Sequence, residues 1–238
     1  MRALLVGYGK MGRAIEAVIL QRGHGVAGRF GRGDICLEGK EGKEVAAEIC
    51  DLAFEFTAPD SAGALVPLLL SKKIPVLSGT TGWDTSEAGR LATVLSVPFL
   101  HSANFSLGVA ALRRAVSAAA AALAAFPEFE PGIVERHHAK KKDAPSGTAK
   151  MLAATLEEAS GRADVPIASL RQGGAPGEHL VFFEGKDETL ELMHRARSRA
   201  IFAQGAVRAA EWMLASGRKG PLSFDDFFND ASRGGNAP

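Results

Sequence analysis

The sequence predicts an α/β protein: an N-terminal parallel sheet flanked by helices, followed by a second α+β domain with a mixed sheet. Three observations predict it. Short apolar runs alternate with helix-like stretches from residue 1 to about residue 105. A long alanine-rich helical stretch then ends the alternation. After it, strand-like runs arrive in close succession, which suits mixed or antiparallel pairing.

The elements follow in order. Residues 2–6, apolar after Arg2, form a run closed by Gly7, as expected for a strand buried on both faces. Residues 11–22 place apolar side chains at helical spacing, and Gly23 offers a stop. A second strand is expected over 26–30, a helix from 44, a strand over 52–56 and a helix over 60–72. Residues 75–78 and 97–101 read as strands on either side of a helix over 87–95. The alanine-rich helix covers 109–125, and residues 133–137 alternate like a strand. A helix over 149–160 precedes three strands at 167–171, 179–184 and 188–194, and a last helix spans 202–215. The tail 233–238 is polar and expected to fray. The domain reading is 1–105, rejoined by 201–238, and 106–200.

Composition excludes several classes. The chain has 238 residues, 46% hydrophobic and 23% charged, with a formal net charge of +1. No sign of charge dominates, so neither nucleic acid nor a membrane surface is an expected partner. The stretch 109–126 is interrupted by Arg113, Arg114 and Ser117, so it reads as a packed helix rather than a membrane span. Cys36 and Cys50 make no disulfide framework and no close metal-binding pair, and no metal is expected. The N-terminal apolar run is too short for a signal peptide, so the expected location is cytoplasmic.

Gly7-Tyr8-Gly9-Lys10-Met11-Gly12 fits G-x-G-x-x-G. Alone the pattern is weak. Here it follows a buried strand and opens an amphipathic helix, the context a dinucleotide fingerprint requires. The first glycine permits the turn, the second lets the backbone approach a pyrophosphate, and the third lets helix and strand pack closely. Free N–H groups at the helix start favour the anion. The first domain is therefore read as Rossmann-type. The acidic residue expected about 20 residues on to hold the ribose hydroxyls is absent. The sequence there reads Val26-Ala27-Gly28-Arg29-Phe30-Gly31-Arg32. An arginine in this place pairs with a 2′-phosphate. The expected cofactor is NADPH, with NADH as the alternative, Arg29 as the main contact and Arg32 as a further one. The competing reading makes Arg29 a solvated surface residue.

The densest chemistry lies in Glu135-Arg136-His137-His138-Ala139-Lys140-Lys141-Lys142-Asp143-Ala144-Pro145-Ser146-Gly147-Thr148-Ala149. A strand delivers two adjacent histidines, which face opposite sides and so do not readily share a metal. A cationic loop follows. Pro145-Ser146-Gly147-Thr148 then opens a helix, with proline suited to the first turn. Cations facing a helix start make a site for a carboxylate or phosphate, and histidine and lysine add proton-transfer capacity. The expected substrate is a small acid protonated during reaction.

This segment closely resembles the signature of the dihydrodipicolinate reductase family. Other landmarks appear in order: Gly7 to Gly12, Phe56-Thr57-Ala58-Pro59, Gly79-Thr80-Thr81-Gly82, Ser102-Ala103-Asn104-Phe105-Ser106-Leu107-Gly108-Val109 and Phe202-Ala203-Gln204-Gly205-Ala206. The resemblance covers nearly the whole chain, although the region before Leu52 looks trimmed.

The resemblance implies NAD(P)H-dependent reduction of 4-hydroxy-tetrahydrodipicolinate to tetrahydrodipicolinate in lysine and diaminopimelate biosynthesis. It implies that His137 is the catalytic histidine and Lys141 the proton-donating lysine. Read chemically, either group can supply the proton. His138, Ser146, Gly147 and Thr148 match the substrate site. Gly79, Thr80 and Thr81 match the loop near the nicotinamide ribose, and Ser102, Ala103, Asn104 and Phe105 the segment near its ring. A homotetramer formed through the second-domain sheet, and closure between the domains, are implied as well. Residues 171–179 read as a turn before a strand. His194 to Arg199 read either as cations near the substrate or as a solvated strand end. His24 and His101 read as structural. Two competing functions are a two-domain amino-acid dehydrogenase and an NADPH sensor; neither explains why the histidine–lysine segment is intact.

Overall fold

A computed structural model of the protein describes residues 1–31 and 50–233. Arg32, Asp34, Cys36, the helix expected from residue 44 and most of the tail lie outside the described residues. The elements in chain order are β1 (Arg2–Val6), α1 (Lys10–Gln21), β2 (Gly25–Phe30), β3 (Leu52–Glu55), α2 (Pro59–Ser71), β4 (Val76–Ser78), α3 (Ser86–Leu95), β5 (Phe99–His101), α4 (Leu107–Leu123), β6 (Glu130–His137), α5 (Gly147–Ser160), β7 (Ile167–Arg171), β8 (Glu178–Glu184), β9 (Thr189–Arg195), α6 (Ala200–Ala215), β10 (Pro221–Ser223) and α7 (Phe224–Ser232). They form two compact units: Met1–Phe105 with the stretch from Ala200 onward, and Ser106–Arg199.

The first unit holds a six-stranded parallel sheet in the order β10-β5-β4-β3-β1-β2. Its central strands read as unbroken apolar runs because both faces are covered. Leu4, Val6, Ala53, Val76 and Phe99 join Leu65, Val66 and Leu69 of α2 and Ala88 and Ala92 of α3 in one core. Alternate residues Leu5, Phe54, Leu77 and Leu100 pair across the sheet in one fully buried row on its other face, where α1 and α6 pack together. Strand order reverses at β1, which has β2 on one side and β3 on the other. In such sheets ligands bind beyond the carboxyl ends at that switch point.

Two elements escape the sequence reading. β10 has only three residues and starts on proline, so it carries no alternation to detect. The helix α7 did carry a signal, a capping box in which Ser223 and Asp226 bond reciprocally.

The second unit is a four-stranded mixed sheet in the order β7-β6-β8-β9. β6 and β7 are parallel; β6–β8 and β8–β9 are antiparallel. α4 and α5 cover one face through Leu112, Val116, Leu152 and Leu156 against Ile133, Val181 and Phe183. The opposite face presents Val134, Leu170 and Met193, all exposed. Among the described residues, no helix is long and apolar enough to cross a membrane.

Candidate active site

In the first unit, the glycine turn, the Gly79 to Thr81 loop and the Ser102 to Phe105 segment follow β1, β4 and β5, so they gather at the carboxyl edge of one sheet. Gly7 has φ +96°, and a Cβ there would lie 2.1 Å from the Phe56 carbonyl oxygen. A Cβ on Gly12 would lie 2.4 Å from the Gly7 oxygen. A Cβ on Gly9, by contrast, would project into open space. Gly7 and Gly12 are thus glycines for packing, while Gly9 leaves room above the start of α1, beside the exposed Lys10 and half-buried Met11. This cradle fits a dinucleotide pyrophosphate.

The ends of β3 and β4 are braced by Glu55, which is fully buried. Its carboxylate accepts from Ser78 Oγ (2.6 Å), Thr80 Oγ1 (2.7 Å) and the Thr57 amide (2.9 Å). The backbone that leads into the Gly79 loop is therefore fixed by a carboxylate the motif reading passed over. Thr81 is exposed beyond it. Ser102 Oγ donates to the Asn104 carbonyl (2.8 Å), and Ala103 lies exposed between them. Phe105 is buried against Phe56 and Phe224. His101 Nε2 meets the Thr80 carbonyl at 3.0 Å, and His24 pairs with Glu211.

Arg29 is not a lone surface cation. Its Nε donates to Glu16 Oε1 of α1 at 2.7 Å, and Tyr8 donates to the other oxygen of the same carboxylate. The guanidinium carbons of Arg13 and Arg29 stand 5.6 and 5.9 Å from the Tyr8 ring centre. The carboxylate missing from the end of β2 is thus supplied from α1, four residues after Gly12. No sequence fingerprint asks for an acid there.

In the second unit, β6 carries Glu135 and His137 on one face, two residues apart. Glu135 is fully buried. Its Oε1 accepts from Arg171 (2.6 Å), Ser169 Oγ (2.7 Å) and the Ser146 amide (3.0 Å). Burial alone pushes this carboxyl up, but the hydrogen bonds from Ser146, Arg171 and Ser169 outweigh it and hold the group at about 2. Oε2 lies 2.9 Å from His137 Nδ1, off the line of an ideal hydrogen bond, and 3.9 Å from His179 Nε2. His137 and His179 meet edge to face at 5.2 Å. Burial lowers His137, and it pushes His179 down to about 4 with help from the His137 charge.

Glu135, His137 and His179 bring ligand atoms within 4.8 Å of one another. The oxygen that faces the two histidines is Oε2, and the Arg171 guanidinium on Oε1 already supplies the positive charge a metal would bring. The group is an ion-pair cluster.

Beyond the strand, His138 is half-buried and its carbonyl accepts from the Lys141 amide (3.0 Å). Lys141 Nζ reaches both Asp143 oxygens, at 2.7 and 2.9 Å. α5 starts at Gly147, not at Pro145: Ser146 is the N-cap and accepts from the Ala149 amide at 3.2 Å. Proline therefore sits before the helix rather than in its first turn, and Gly147 and Thr148 are the first helical residues. A Cβ on Gly147 would meet nothing within 4 Å.

The stretch 171–179 is more than a turn. Arg171 and His179, at its ends, both belong to the Glu135 cluster. The signal for His179 was its register: it pairs with Glu135 across β6 and β8. His194 is no solvated strand end either. It pairs with His179 across β8 and β9, and a Cβ on Gly108 would lie 2.7 Å from its ring.

The cluster carries an acid liability. His179 is neutral in the fold down to about pH 4, whereas an unfolded histidine takes up its proton near pH ~6.5. Below that value the unfolded state binds more protons, so stability present above pH ~6.5 is lost as pH falls toward 4. Tm should fall over that window, and His179→Gln should flatten the slope. An equally steep slope in the variant would assign the loss to other groups.

Comparison with known proteins bears on both units. Residues 1–105 match the family described as dihydrodipicolinate reductase, N-terminus, and residues 108–228 the family described as dihydrodipicolinate reductase, C-terminus. A 4-hydroxy-tetrahydrodipicolinate reductase of Stenotrophomonas maltophilia (strain R551-3) is 46% identical over 161 residues, covering 67% of this chain and 65% of that protein. The match thus spans about two thirds of that relative's length. One from Natronomonas pharaonis is 35% identical over 248 residues, covering 95% of this chain and 99% of that one. Among solved structures, dipicolinate-bound dihydrodipicolinate reductase from Paenisporosarcina sp. TG-14 superposes with a TM-score of 0.72 at 22% identity, covering 94% of this chain and 97% of that one. The diaminopimelate dehydrogenase of C. glutamicum shares the fold more distantly, with a TM-score of 0.53 at 14% identity.

Proposed function

The chain belongs to the dihydrodipicolinate reductase family, and we propose from that premise that it reduces 4-hydroxy-tetrahydrodipicolinate to tetrahydrodipicolinate with NAD(P)H. The observation that carries this reading is the second-unit cluster. A buried histidine braced by a carboxylate is followed within a few residues by a lysine and a serine-capped helix start.

NAD(P)H, held by the Gly7 to Gly12 turn, would supply a hydride. The residues of the chain do the rest. Gly147 and Thr148, at the positive end of α5, are placed to receive a substrate carboxylate, with Ser146 and His138 beside them. Loss of the 4-hydroxyl as water would first give the conjugated cyclic imine. A hydride added to its conjugated ring carbon would then drive electrons toward the ring nitrogen, where a cation stabilises the developing charge until one proton is added. Lys141 and His137 are the groups that can stabilise it and deliver the proton. Asp143 keeps the Lys141 ammonium in place until an anionic substrate competes for it.

The direct experiment follows loss of the reduced-nicotinamide absorbance, with substrate generated in place from pyruvate and aspartate semialdehyde. Turnover supports the reductase. Cofactor binding without turnover would favour a sensor, and turnover of an amino acid instead would favour the other dehydrogenases.

NADPH is read as the preferred cofactor, with Arg29 as the contact to the 2′-phosphate. Glu16 competes with that phosphate for the guanidinium and repels it. Arg29→Ala should raise the KM for NADPH far more than that for NADH, by about tenfold for one lost charge-assisted pair. Glu16→Gln should move the NADPH-to-NADH ratio the other way. Equal changes for both cofactors would remove Arg29 from this role. A homotetramer is read from the uncovered sheet face carrying Val134, Leu170 and Met193. Light scattering on the intact protein would decide the assembly.

A further inference from the structure

We infer that Glu135 is a positioning residue for the proposed reaction, setting the tautomer of His137 while it fixes the start of α5 through the Ser146 amide. The inference rests on the reductase reading for its kinetic consequence, but its structural basis stands apart from substrate identity.

The geometry divides the carboxylate into two halves. Oε1 is saturated by Ser146, Ser169 and Arg171. Oε2 and His137 Nδ1 face each other at 2.9 Å, and neither has a well-aligned partner among the described residues. An ionised carboxylate has no hydrogen to give. Neutral His137 is therefore stabilised with its hydrogen on Nδ1, which leaves the Nε2 lone pair to take up a proton, and the Glu135 charge favours the imidazolium that passes it on. That edge of the ring looks toward Gly177: a Cβ there would lie 3.0 Å from Nε2. Glycine at 177 lets the backbone lie along that edge of the ring without crowding it.

The same carboxylate ties two functional parts together. It sits two residues before His137 on β6, and it receives the backbone N–H of the residue that caps α5. The proton-transfer group and the carboxylate-binding helix start are thereby held in one frame by one buried charge. Arg171 balances that charge, so the cluster stays ionised without a solvent path.

Glutamine at 135 separates the two jobs. Three donors crowd the Oε1 side, so the amide oxygen must stay there and continue to accept from Ser146. The amide NH₂ then faces His137 Nδ1 and forces the hydrogen onto Nε2. Binding survives, but Nε2 can no longer take up a proton and the imidazolium loses its carboxylate, so proton transfer does not. Glu135→Gln is expected to lower kcat by about 10²–10⁴-fold, the reach of general acid–base catalysis, with the substrate KM little changed.

The pH profile supplies a readout that a merely structural role would not move. The groups facing His137 are Glu135 on its own strand, Lys141 and Asp143 in the following loop, Arg171 on β7 and His179 on β8. Of these only Glu135 changes in the variant, and its charge favours protonated His137. The limb of the kcat profile that belongs to His137 should move to lower pH. Ser169→Ala, which removes a hydrogen bond from the same carboxylate but keeps its charge, should leave that limb in place. A Glu135→Gln enzyme with wild-type kcat, or with a lowered kcat and an unmoved limb, overturns the inference.

Nitrogen chemical shifts of His137 in the wild-type protein test the tautomer without any variant. Hydrogen on Nδ1 at neutral pH is the expected result; hydrogen on Nε2 refutes the assignment even if Glu135→Gln fails to fold. Absence of wild-type turnover would defeat the reductase reading, and the shifts would still judge the Glu135–His137 link.

Discussion

Lys141→Ala and His137→Ala are each expected to lose about 10²–10⁴ of kcat/KM, the span that positioned proton transfer contributes, while binding NADPH as the wild type does. Lys141 is on the loop after β6, and its side-chain partner is the nearby Asp143. Its removal opens no core, so Tm should hold and the loss is chemical. Lys141→Arg separates charge from proton donation. Guanidinium keeps the positive charge but does not release its proton. This variant should therefore retain substrate binding and still turn over poorly. His137 differs because it is buried beside Glu135. Its alanine variant leaves an ionised carboxylate without its histidine, so Tm should fall as well. Unchanged NADPH affinity in both variants would place the defect at the second-unit site. Near-wild-type turnover in Lys141→Ala would leave His137 as the proton source.

The sequence displayed the fold wherever periodicity was long enough to be seen. The runs at β1, β3 and β4 are buried on both faces, so they are apolar apart from Arg2, Glu55 and Ser78 at their ends, and the strands are legible. Three-residue β10 has no such pattern. The site was legible to the extent that it is contiguous: the glycine turn and the stretch from His137 to Thr148 are local strings. Its supports were not. Glu16 answers to Arg29 from another element, Glu55 reaches the Gly79 loop across a strand, and Arg171 and His179 join Glu135 through strand register. Each of these depends on pairing that a single sequence does not print. Alternation did offer one clue, since residues two apart on a strand share a face and Glu135 and His137 are two apart.

Gly205→Ala is expected to destabilise the first unit, although alanine is the better helix former. In a helix interior that exchange ordinarily gains about 1 kcal/mol. Gly205 is buried in α6, and its Cβ would lie 1.7 Å from the Phe105 carbonyl oxygen. The obstacle is backbone, not the end of a flexible side chain, so the contact is relieved only by moving a helix or a peptide. Overpacking of this kind costs typically about 1–3 kcal/mol and sometimes more, which outweighs the propensity gain. For a chain of this size each kcal/mol shifts Tm by roughly 2–4 °C, so a fall of several degrees is expected. Gly63→Ala supplies the control. It makes the same substitution inside α2, where a Cβ meets nothing within 4 Å, and its Tm should rise. The displaced peptide belongs to Phe105, the end of the segment that we propose lies near the nicotinamide ring. Gly205→Ala should therefore also raise the KM for NADPH, whereas Gly63→Ala should leave it alone. If both variants gained stability, close approach of α6 to Phe105 would not be what requires glycine at 205, and helix propensity alone would set the sign.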